Sequence, residues 1–308
     1  MKSKISFIVV VLLALVSCTK SGEAGFPGKE KVSVSFTASL AEYGSTKALF
    51  DNDGAGIHAD RCRLQVWSED KLFYEETAAV NDFKAIFEDL VLVKDQVYDF
   101  LFWADNTSGA YYVTDNLNEV KLSGTYVGGN DKRDAFYAAI VGKTVVETFS
   151  QEVELHRPFA QLNVITTDIP AIRAQISEDE RFAGSVPEKV SLTLTAPTVF
   201  NVKTGAVSEA AELTYTAPVY TNPYKTTAEA RNTLSMDYLF APVEDGSVVD
   251  VKFSAKFPPR GETAGFADIN HTFSNVPLRR NYRTNISGAL ITVTGKVNIE
   301  IKPAWLEE

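Results

Sequence analysis

Apolar and polar residues alternate strictly in one stretch near the start of the chain. Val32, Val34, Phe36, Ala38 and Leu40 are separated from one another by Ser or Thr. Successive side chains of an extended chain point to opposite faces, so this pattern predicts a β-strand with one buried face. Burying the five apolar side chains would contribute on the order of 8 to 12 kcal/mol. Because a whole domain is stable by roughly 5 to 15 kcal/mol, we predict that its fold depends on this strand.

More strand patterns follow through the first half of the chain, separated by short spacers. Residues 97–104 are the most apolar of them, and we predict that they lie in the middle of a sheet. Cys62, Leu64 and Val66 share one face of another strand, which predicts a buried core thiol at Cys62. None of this half has a convincing helical period. The other predicted strands of this half span residues 72–77, 83–93, 111–114, 117–122, 135–141 and 152–157.

Pro158 interrupts the strand pattern, and we predict a domain boundary there, between residues 31–157 and 158–308. Residues 168–182 form either a helix capped by Asp168 or an ordered loop. Alternation elsewhere predicts a second all-β unit, with a bulge or bend at Gly295. The fold class is therefore all-β, with two tandem β-sandwich domains. The strands predicted for the second unit span residues 159–165, 190–196, 234–240, 249–257, 281–294 and 296–305.

The first 17 residues have the pattern of a secretion signal. Lys2 and Lys4 precede an apolar run over residues 5–16 that is too short to span a bilayer as a stable helix. The run ends in Leu-Val-Ser-Cys, which resembles a bacterial lipobox and predicts a diacylglycerol on Cys18. Residues 18–30 would then form the lipidated start and a flexible tether. We predict an outer membrane lipoprotein, with the cell surface or a fimbrium as its location. An ordinary signal peptide with a coincidental Cys is the alternative.

Charge and cysteine content narrow the classes of partner. The 308-residue chain has a formal net charge of −10 and a pI near 5.0, and loss of the signal peptide makes the charge about −12. An acidic chain repels phosphates, so a nucleic acid partner is not expected. With Cys18 lipidated, Cys62 is the one remaining thiol, and it has no internal disulfide partner.

Enzyme and metal signatures are missing from the sequence. The histidines His58, His156 and His271 have no nearby nucleophile and no ligand spacing. An EF-hand counted from Asp51 would need an oxygen ligand at Ala55 and a Glu where Cys62 stands. We therefore predict no catalytic residues, no metal and no cofactor.

A second class of function is glycan binding at the cell surface, because such sites stack sugars on exposed aromatic rings. Trp103 falls in the most apolar strand and is expected in the core. Tyr111 and Tyr112 lie beside a predicted turn and are better candidates. The other aromatic candidates are Trp67 and Trp305.

Several short motifs resemble those of a known family when they are taken in order along the chain. Thr-Lys-Ala-Leu-Phe follows the first strand at residues 46–50, and Leu-His-Arg-Pro-Phe-Ala-Gln-Leu-Asn-Val spans residues 155–164. Val-Pro-Leu-Arg-Arg-Asn-Tyr-Arg-Thr-Asn-Ile spans residues 276–286. Together with the lipobox, they resemble the fimbrillin family, the fimbrial subunit lipoproteins of Bacteroidales type. The resemblance covers essentially the whole chain.

The resemblance implies two tandem transthyretin-like (Greek-key) sandwiches and assembly by β-strand exchange. In polymerising fimbrillins, a trypsin-like protease cuts after a basic residue behind the first strand, which then leaves and is replaced by a neighbour's strand. Here Lys47 stands where the family has Arg, so processing there and a plain loop lysine both stay open; Arg61 is the nearest alternative. The implied leaving strand is 32–40, and the implied donor strand contains Val293, Val297, Ile299 and Ile301.

The partners implied by the resemblance are other fimbrial subunits, in a homopolymer or a heteropolymer. The lipid anchor would add the outer membrane, and a host or bacterial surface ligand is a further expectation. A chain that is never cut would keep its lipid and serve as an anchor or accessory subunit. Whether the role is shaft, tip or anchor stays open at the level of sequence.

Overall fold

The computed structural model of the protein describes residues 28–40, 58–178, 184–220, 232–243, 247–259, 266–292 and 297–303. The predicted signal peptide, Cys18, Lys47, Val293 and Trp305 lie outside these ranges. The described chain is almost entirely β-structure, which confirms the predicted fold class.

The N-terminal half contains nine strands and two single turns of 3-10 helix among its described residues. The strand predicted at residues 32–40 is present, one residue longer. The nine strands are β1 (Lys31–Leu40), β2 (Arg61–Ser68), β3 (Lys71–Ala79), β4 (Lys84–Val93), β5 (Gln96–Asp105), β6 (Tyr112–Val113), β7 (Val120–Leu122), β8 (Phe136–Val145) and β9 (Phe149–Leu155).

The C-terminal half contains eight strands and one helix in the part of it that the structure describes. They are β10 (Phe159–Thr166), α1 (Ile169–Glu178), β11 (Lys189–Phe200), β12 (Val207–Pro218), β13 (Thr233–Phe240), β14 (Val248–Lys256), β15 (Ile269–Pro277), β16 (Tyr282–Gly288) and β17 (Asn298–Pro303).

The two halves repeat one strand arrangement. In the N-terminal half, β1 lies between antiparallel β4 and parallel β9, and the other sheet has the order β3-β2-β5-β8. In the C-terminal half, β10 lies between antiparallel β13 and parallel β16, and the main strands of the other sheet run β12-β11-β14-β15. Seven strands therefore correspond one to one between the halves. The tandem sandwiches that the sequence predicted are confirmed in this repeat.

Each half has a core of its own, and a third apolar cluster joins them. This joining cluster combines Leu101 and Trp103 of β5 with Phe159 of β10 and Phe240 of β13. Every residue of β10 and of β13 is buried, because one face of each strand lies on the C-terminal core and the other lies on the joining cluster. The outward face of the corresponding strand β1 is only half-buried.

Strands β6 and β7 do not pair with the sheets of the N-terminal half. They lie in the insertion between β5 and β8, and Val120 and Lys121 pair with Phe200 and Val199 of β11. Backbone hydrogen bonding thus crosses the two halves. The boundary proposed at Pro158 falls between β9 and β10 and stays a prediction.

Of the helix and the ordered loop that the sequence left open from residue 168, the structure has the helix, α1, but the Asp168 carboxylate has a different role from the predicted cap. Its carboxylate accepts hydrogen bonds from the backbone N–H groups of Ile291 (2.9 Å) and Thr292 (2.8 Å). Burial alone would raise the pKa of Asp168, but these bonds and those from the Thr166 and Thr292 hydroxyls lower it. β16 ends at Gly288, before these two residues, rather than at the predicted residue 294.

Candidate strand-exchange seat

The inward face of β1 is enclosed by the N-terminal sandwich from Val34 to Leu40. Val34, Phe36 and Ala38 are exposed by no more than 1%, Leu40 by 4%, and Val32 is half-buried against the same core. The intervening Ser and Thr side chains face outward and are half-buried. The sequence pattern therefore predicted correctly which face is buried. We call the groove that holds these five side chains, between β4 and β9, the β1 seat.

An aromatic pocket surrounds the middle of β1. The ring of Phe36 has its centroid 4.8 Å from that of Phe100, 5.4 Å from Phe102 and 5.9 Å from Phe149. Phe100 and Phe102 come from β5 on the opposite sheet, whereas Phe149 opens β9 on the same sheet. Tilted and edge-on ring pairs at these distances add about 0.5 to 1.5 kcal/mol each to the burial of area. Phe36 is therefore the anchor residue of β1.

Strand β1 also provides the backbone connection between β4 and β9. It pairs with β4 from Lys31–Val93 to Ser39–Lys84, with an irregularity between Val34 and Phe36, and with β9 from Val34–Phe149 to Leu40–Leu155. In the described part of the chain, β4 and β9 belong to no other sheet. Without β1, both would present open edges, and unpaired edges readily take up another strand.

The two predicted processing residues lie in different surroundings. Lys47 belongs to residues 41–57, between the end of β1 and the described residues that begin at 58, and this stretch lies outside the described chain. Arg61 is the first residue of β2, which is paired on both sides, and its Nε donates to Asp105 Oδ1 at 2.6 Å. A protease needs an accessible extended segment, so the geometry does not favour a cut at Arg61.

The predicted donor strand is only partly observed. β17 pairs with β16 from Tyr282–Pro303 to Ser287–Asn298 and forms the outer strand of its sheet. Val297 packs against the C-terminal core, whereas Ile299 and Ile301 are 37% and 38% exposed. Val293 lies outside the described residues. The two isoleucines thus bury much less surface than the corresponding side chains of β1.

The aromatic candidates for glycan binding differ in how deeply the structure buries them. Trp103 is core, as predicted, and its indole donates to Asp105 at 3.2 Å. Tyr112 is 5% exposed and donates to the carbonyl of Arg133, so it is not the surface ring that the sequence suggested. Tyr111 is half-buried under the Arg133 guanidinium at 5.0 Å. Trp67 lines a cleft of about 430 Å³ together with Asp70, Gln96, Asp99 and Lys203.

Two arginines inside the fimbrillin-like motifs have structural roles that sequence reasoning missed. Arg157 is completely buried and makes a bidentate ion pair with Asp134, at 2.7 and 2.6 Å. Arg280 donates to the Tyr137 hydroxyl at 2.8 Å, to the carbonyl of Ala241 at 3.0 Å and to the carbonyl of Gly205. Tyr137 belongs to β8, so Arg280 connects the halves. Both arginines lie beside strands whose residues are largely buried, but their motifs contain other polar residues and gave no signal that would have identified the two.

Neither a metal-binding cluster nor a membrane-spanning helix is found in the described ranges. These ranges contain no group of three or more His, Cys, Asp or Glu side chains that could hold a metal ion. No helix within them is long and apolar enough to cross a membrane.

Solved structures that align with most of the chain include fimbrial proteins. The fimbrilin FimA of Porphyromonas gingivalis W83 aligns at 12% identity and a TM-score of 0.49, over 90% of this chain and 98% of FimA. The tip fimbrial protein Mfa3 of the same species aligns at 13% and 0.47, over 89% and 99%. A fimbrial assembly protein of Parabacteroides distasonis aligns at 11% and 0.48, over 89% and 96%. At such identities and TM-scores, a likeness does not by itself transfer a function.

Comparison at the level of sequence gives a family without an assigned activity. No match was found among the curated proteins. A family model described as "Family of unknown function (DUF6562)" matches residues 27–308. The match begins within the predicted tether and covers both halves of the chain. The protein therefore belongs to the DUF6562 family.

Proposed function

We propose that this protein is a structural subunit of a surface fimbria, or an accessory or anchor lipoprotein of one, and that it assembles by β-strand exchange. The observation that carries the proposal is the seating of β1. A single strand near the amino end buries Val34, Phe36, Ala38 and Leu40 almost completely, and it joins two strands that have no other sheet partner in the described chain. The proposal assigns no catalytic activity to the chain.

Strand exchange follows from the energetics of the seat. Burial of the inward side chains of β1 stabilises the N-terminal sandwich by an amount comparable with the whole stability of a domain. A cut behind β1 would turn this intramolecular strand into a separate segment that can dissociate. The empty seat would expose apolar side chains and two strand edges, so another strand with the same alternation would bind there by β-augmentation. Lys47, seven residues after Leu40, is the proposed site of that cut.

Location and anchoring belong to the same proposal. The signal-like residues 1–17 and Cys18 would place the protein on the outer membrane through acyl chains, facing the cell surface. Several acyl chains hold a protein on a membrane almost permanently, at roughly 0.8 kcal/mol for each buried methylene. Loss of β1 after a cut at Lys47 would also remove this anchor. An uncut chain would remain anchored, as suits an accessory or anchor subunit.

Limited digestion of the folded full-length protein with trypsin tests the proposal. We expect an early cut after Lys47, followed by release of residues 31–40 and binding of another strand in the β1 seat, measured as uptake of an added labelled 31–40 peptide or as oligomers on native gels. Lys47→Gln should abolish both the early cut and the binding of another strand. Lys71→Gln, which changes an exposed lysine in the β2–β3 hairpin, is the matched control and should behave as the unmodified chain does.

One outcome of this digestion would contradict the proposed strand exchange. A chain that is cut after Lys47 but keeps residues 31–40 in place and stays monomeric would contradict strand exchange. Retention of that monomer on polysaccharide affinity gels would instead favour a glycan-binding lipoprotein. Trp67 is the ring that supports this second function, because it lines a cleft with carboxylate, amide and ammonium groups that could bind sugar hydroxyls.

A further inference from the structure

The β1 seat has pockets of unequal size, and their order can be read from the side chains that fill them. From its first to its fifth inward position, β1 presents valine, valine, phenylalanine, alanine and leucine. We propose that the seat selects strands with an aromatic residue at the third inward position and a small residue at the fourth. We infer further that the strand replacing β1 comes from a different protein, not from the C-terminal segment of a second copy. This inference rests on the proposed strand exchange.

Aromatic rings form the pocket that holds the third inward side chain, Phe36. Phe100 and Phe102 approach Phe36 from the opposite sheet, and Phe149 approaches from β9. Phe87 of β4 extends the same group through Phe102, at 6.0 Å between centroids. An aliphatic side chain at this position would lose the ring–ring contacts and leave a void, and voids in a packed core are costly. An incoming strand therefore needs Phe, Tyr or Trp here.

The fourth inward position accepts only a small side chain, and the residue there must have a backbone N–H. Ala38 is 1% exposed and lies in register with Ala85 of β4 and Val153 of β9. A longer side chain would overpack this core. Since β1 has a ladder on each side, proline would also remove a hydrogen-bond donor from a central strand, where it is essentially not found.

The C-terminal segment of this chain does not meet these two conditions in its best register. If Val297 takes the first inward position and the segment runs in the direction of β1, Ile301 falls at the aromatic position and Pro303 at the position of Ala38. The aromatic pocket would be filled by an aliphatic side chain, and a proline would stand in the middle of the central strand.

Other registers of the same segment do not improve the match. A shift of four residues brings Val297 to the aromatic position and the bulky Ile299 to the small one. A shift that places Trp305 in the aromatic pocket brings Pro303 to the second inward position and the charged Glu307 to the fourth. The donor predicted from the sequence, Val293 to Ile301, is therefore a poor occupant of this seat, and a heterologous subunit with the pattern of β1 is the better one.

Peptide capture by the cleaved full-length protein tests the inference. A sequence-specific protease site is inserted within residues 41–57, the chain is cut there, and β1 is displaced in mild denaturant. Labelled ten-residue peptides are then offered, and their capture on return to buffer is measured by fluorescence anisotropy. The set comprises residues 31–40, that peptide with Phe36→Ile, residues 296–305, and the latter with Ile301→Phe and Pro303→Ala. The 31–40 peptide with Thr37→Ser, a change on the outward face, is the control.

We expect the 31–40 peptide and its Thr37→Ser control to bind equally well. Residues 296–305 should bind about 100-fold more weakly, and the Phe36→Ile peptide about tenfold more weakly. The double substitution should recover at least about tenfold of the loss in 296–305. Equal capture of 31–40 and 296–305, or of the 31–40 peptide and its Phe36→Ile variant, would overturn the inference while leaving strand exchange intact. Failure to capture the 31–40 peptide itself would overturn the proposed function as well.

Discussion

At the scale of single residues, Asp237 is a carboxylate that is almost completely buried. It lies on β13 inside the core of the C-terminal half, where its carboxylate accepts hydrogen bonds from the hydroxyls of Tyr126 (3.0 Å) and Tyr215 (2.9 Å). Burial raises the pKa of Asp237 to about 7, although the two hydroxyls and the charge of Arg133 act in the opposite direction. Tyr126 belongs to the insertion after β5, so this group also fastens the insertion to the C-terminal half.

The raised pKa predicts how stability depends on pH. The folded protein holds a proton on Asp237 between about pH 4 and pH 7 that the unfolded chain releases, so this contribution to stability is full below pH 4 and is lost as pH rises through 7. Asp237→Asn cannot ionise. We expect its free energy of unfolding, relative to the unmodified protein, to improve by roughly 2 to 4 kcal/mol between pH 4 and pH 8.

Urea unfolding at a series of pH values measures this difference. Asp70→Asn, which changes an exposed carboxylate, serves as the control. A constant offset between Asp237→Asn and the unmodified protein from pH 4 to pH 8 would mean that Asp237 does not titrate in this range.

At the scale of elements, β1 should carry a large share of the stability of the N-terminal half. Phe36→Ala removes a fully buried ring that three other rings contact, and we expect it to lower the free energy of unfolding by about 3 to 5 kcal/mol. Thr37→Ala alters the outward face of the same strand and should cost no more than about 0.5 kcal/mol. Similar losses for the two variants in chemical denaturation would argue against a seat built around Phe36.

The sequence was informative about elements that bury one face and less so about the others. Strict alternation predicted β1 to within one residue, and the apolar run at 97–104 predicted the central strand β5. Strands β12 and β15 were missed, because both lie at the outside of their sheet: most side chains of β12 are exposed, and β15 buries only Phe273 and Val276 fully. The parallel pairing of β1 with β9 was also missed, since alternation within a strand does not identify its neighbour. The sequence therefore predicted that β1 has a buried face, but it did not identify the strands that surround that face.

At the scale of the whole molecule, the halves are held together by the joining cluster and by Arg280. This arginine is 5% exposed, lies over Phe200 at 4.9 Å, and reaches Tyr137 in the other half. Burial lowers the pKa of Arg280, and the neighbouring Tyr137 hydroxyl partly offsets this. Arg280 is therefore a charged residue in a mostly apolar environment, where it makes hydrogen bonds across the junction between the halves.

Replacing Arg280 should weaken the coupling between the halves. We expect Arg280→Met to lower the free energy of unfolding by about 2 to 4 kcal/mol, because the acceptors at Tyr137, Gly205 and Ala241 lose their donor. The urea transition should also become broader, because only the joining cluster and the pairing of β7 with β11 then couple the two sandwiches. Arg279→Met is the neighbouring control, since Arg279 lies over Tyr282 within the C-terminal half. A single transition at an unchanged midpoint in Arg280→Met would contradict a coupling role.

The parallel pairing of β1 with β9 also affects when β1 can join its sheet during folding. Ser33 and Thr148, which are in contact at this junction, are 115 residues apart in the chain. Strand β1 can therefore complete its pairing with β9 only after β9 has been synthesised, and pairing between strands so far apart in sequence is slow. We therefore expect an interval during folding in which β1 is not yet docked in the N-terminal sandwich. A chaperone or a competing strand would have its best access to the protein in that interval.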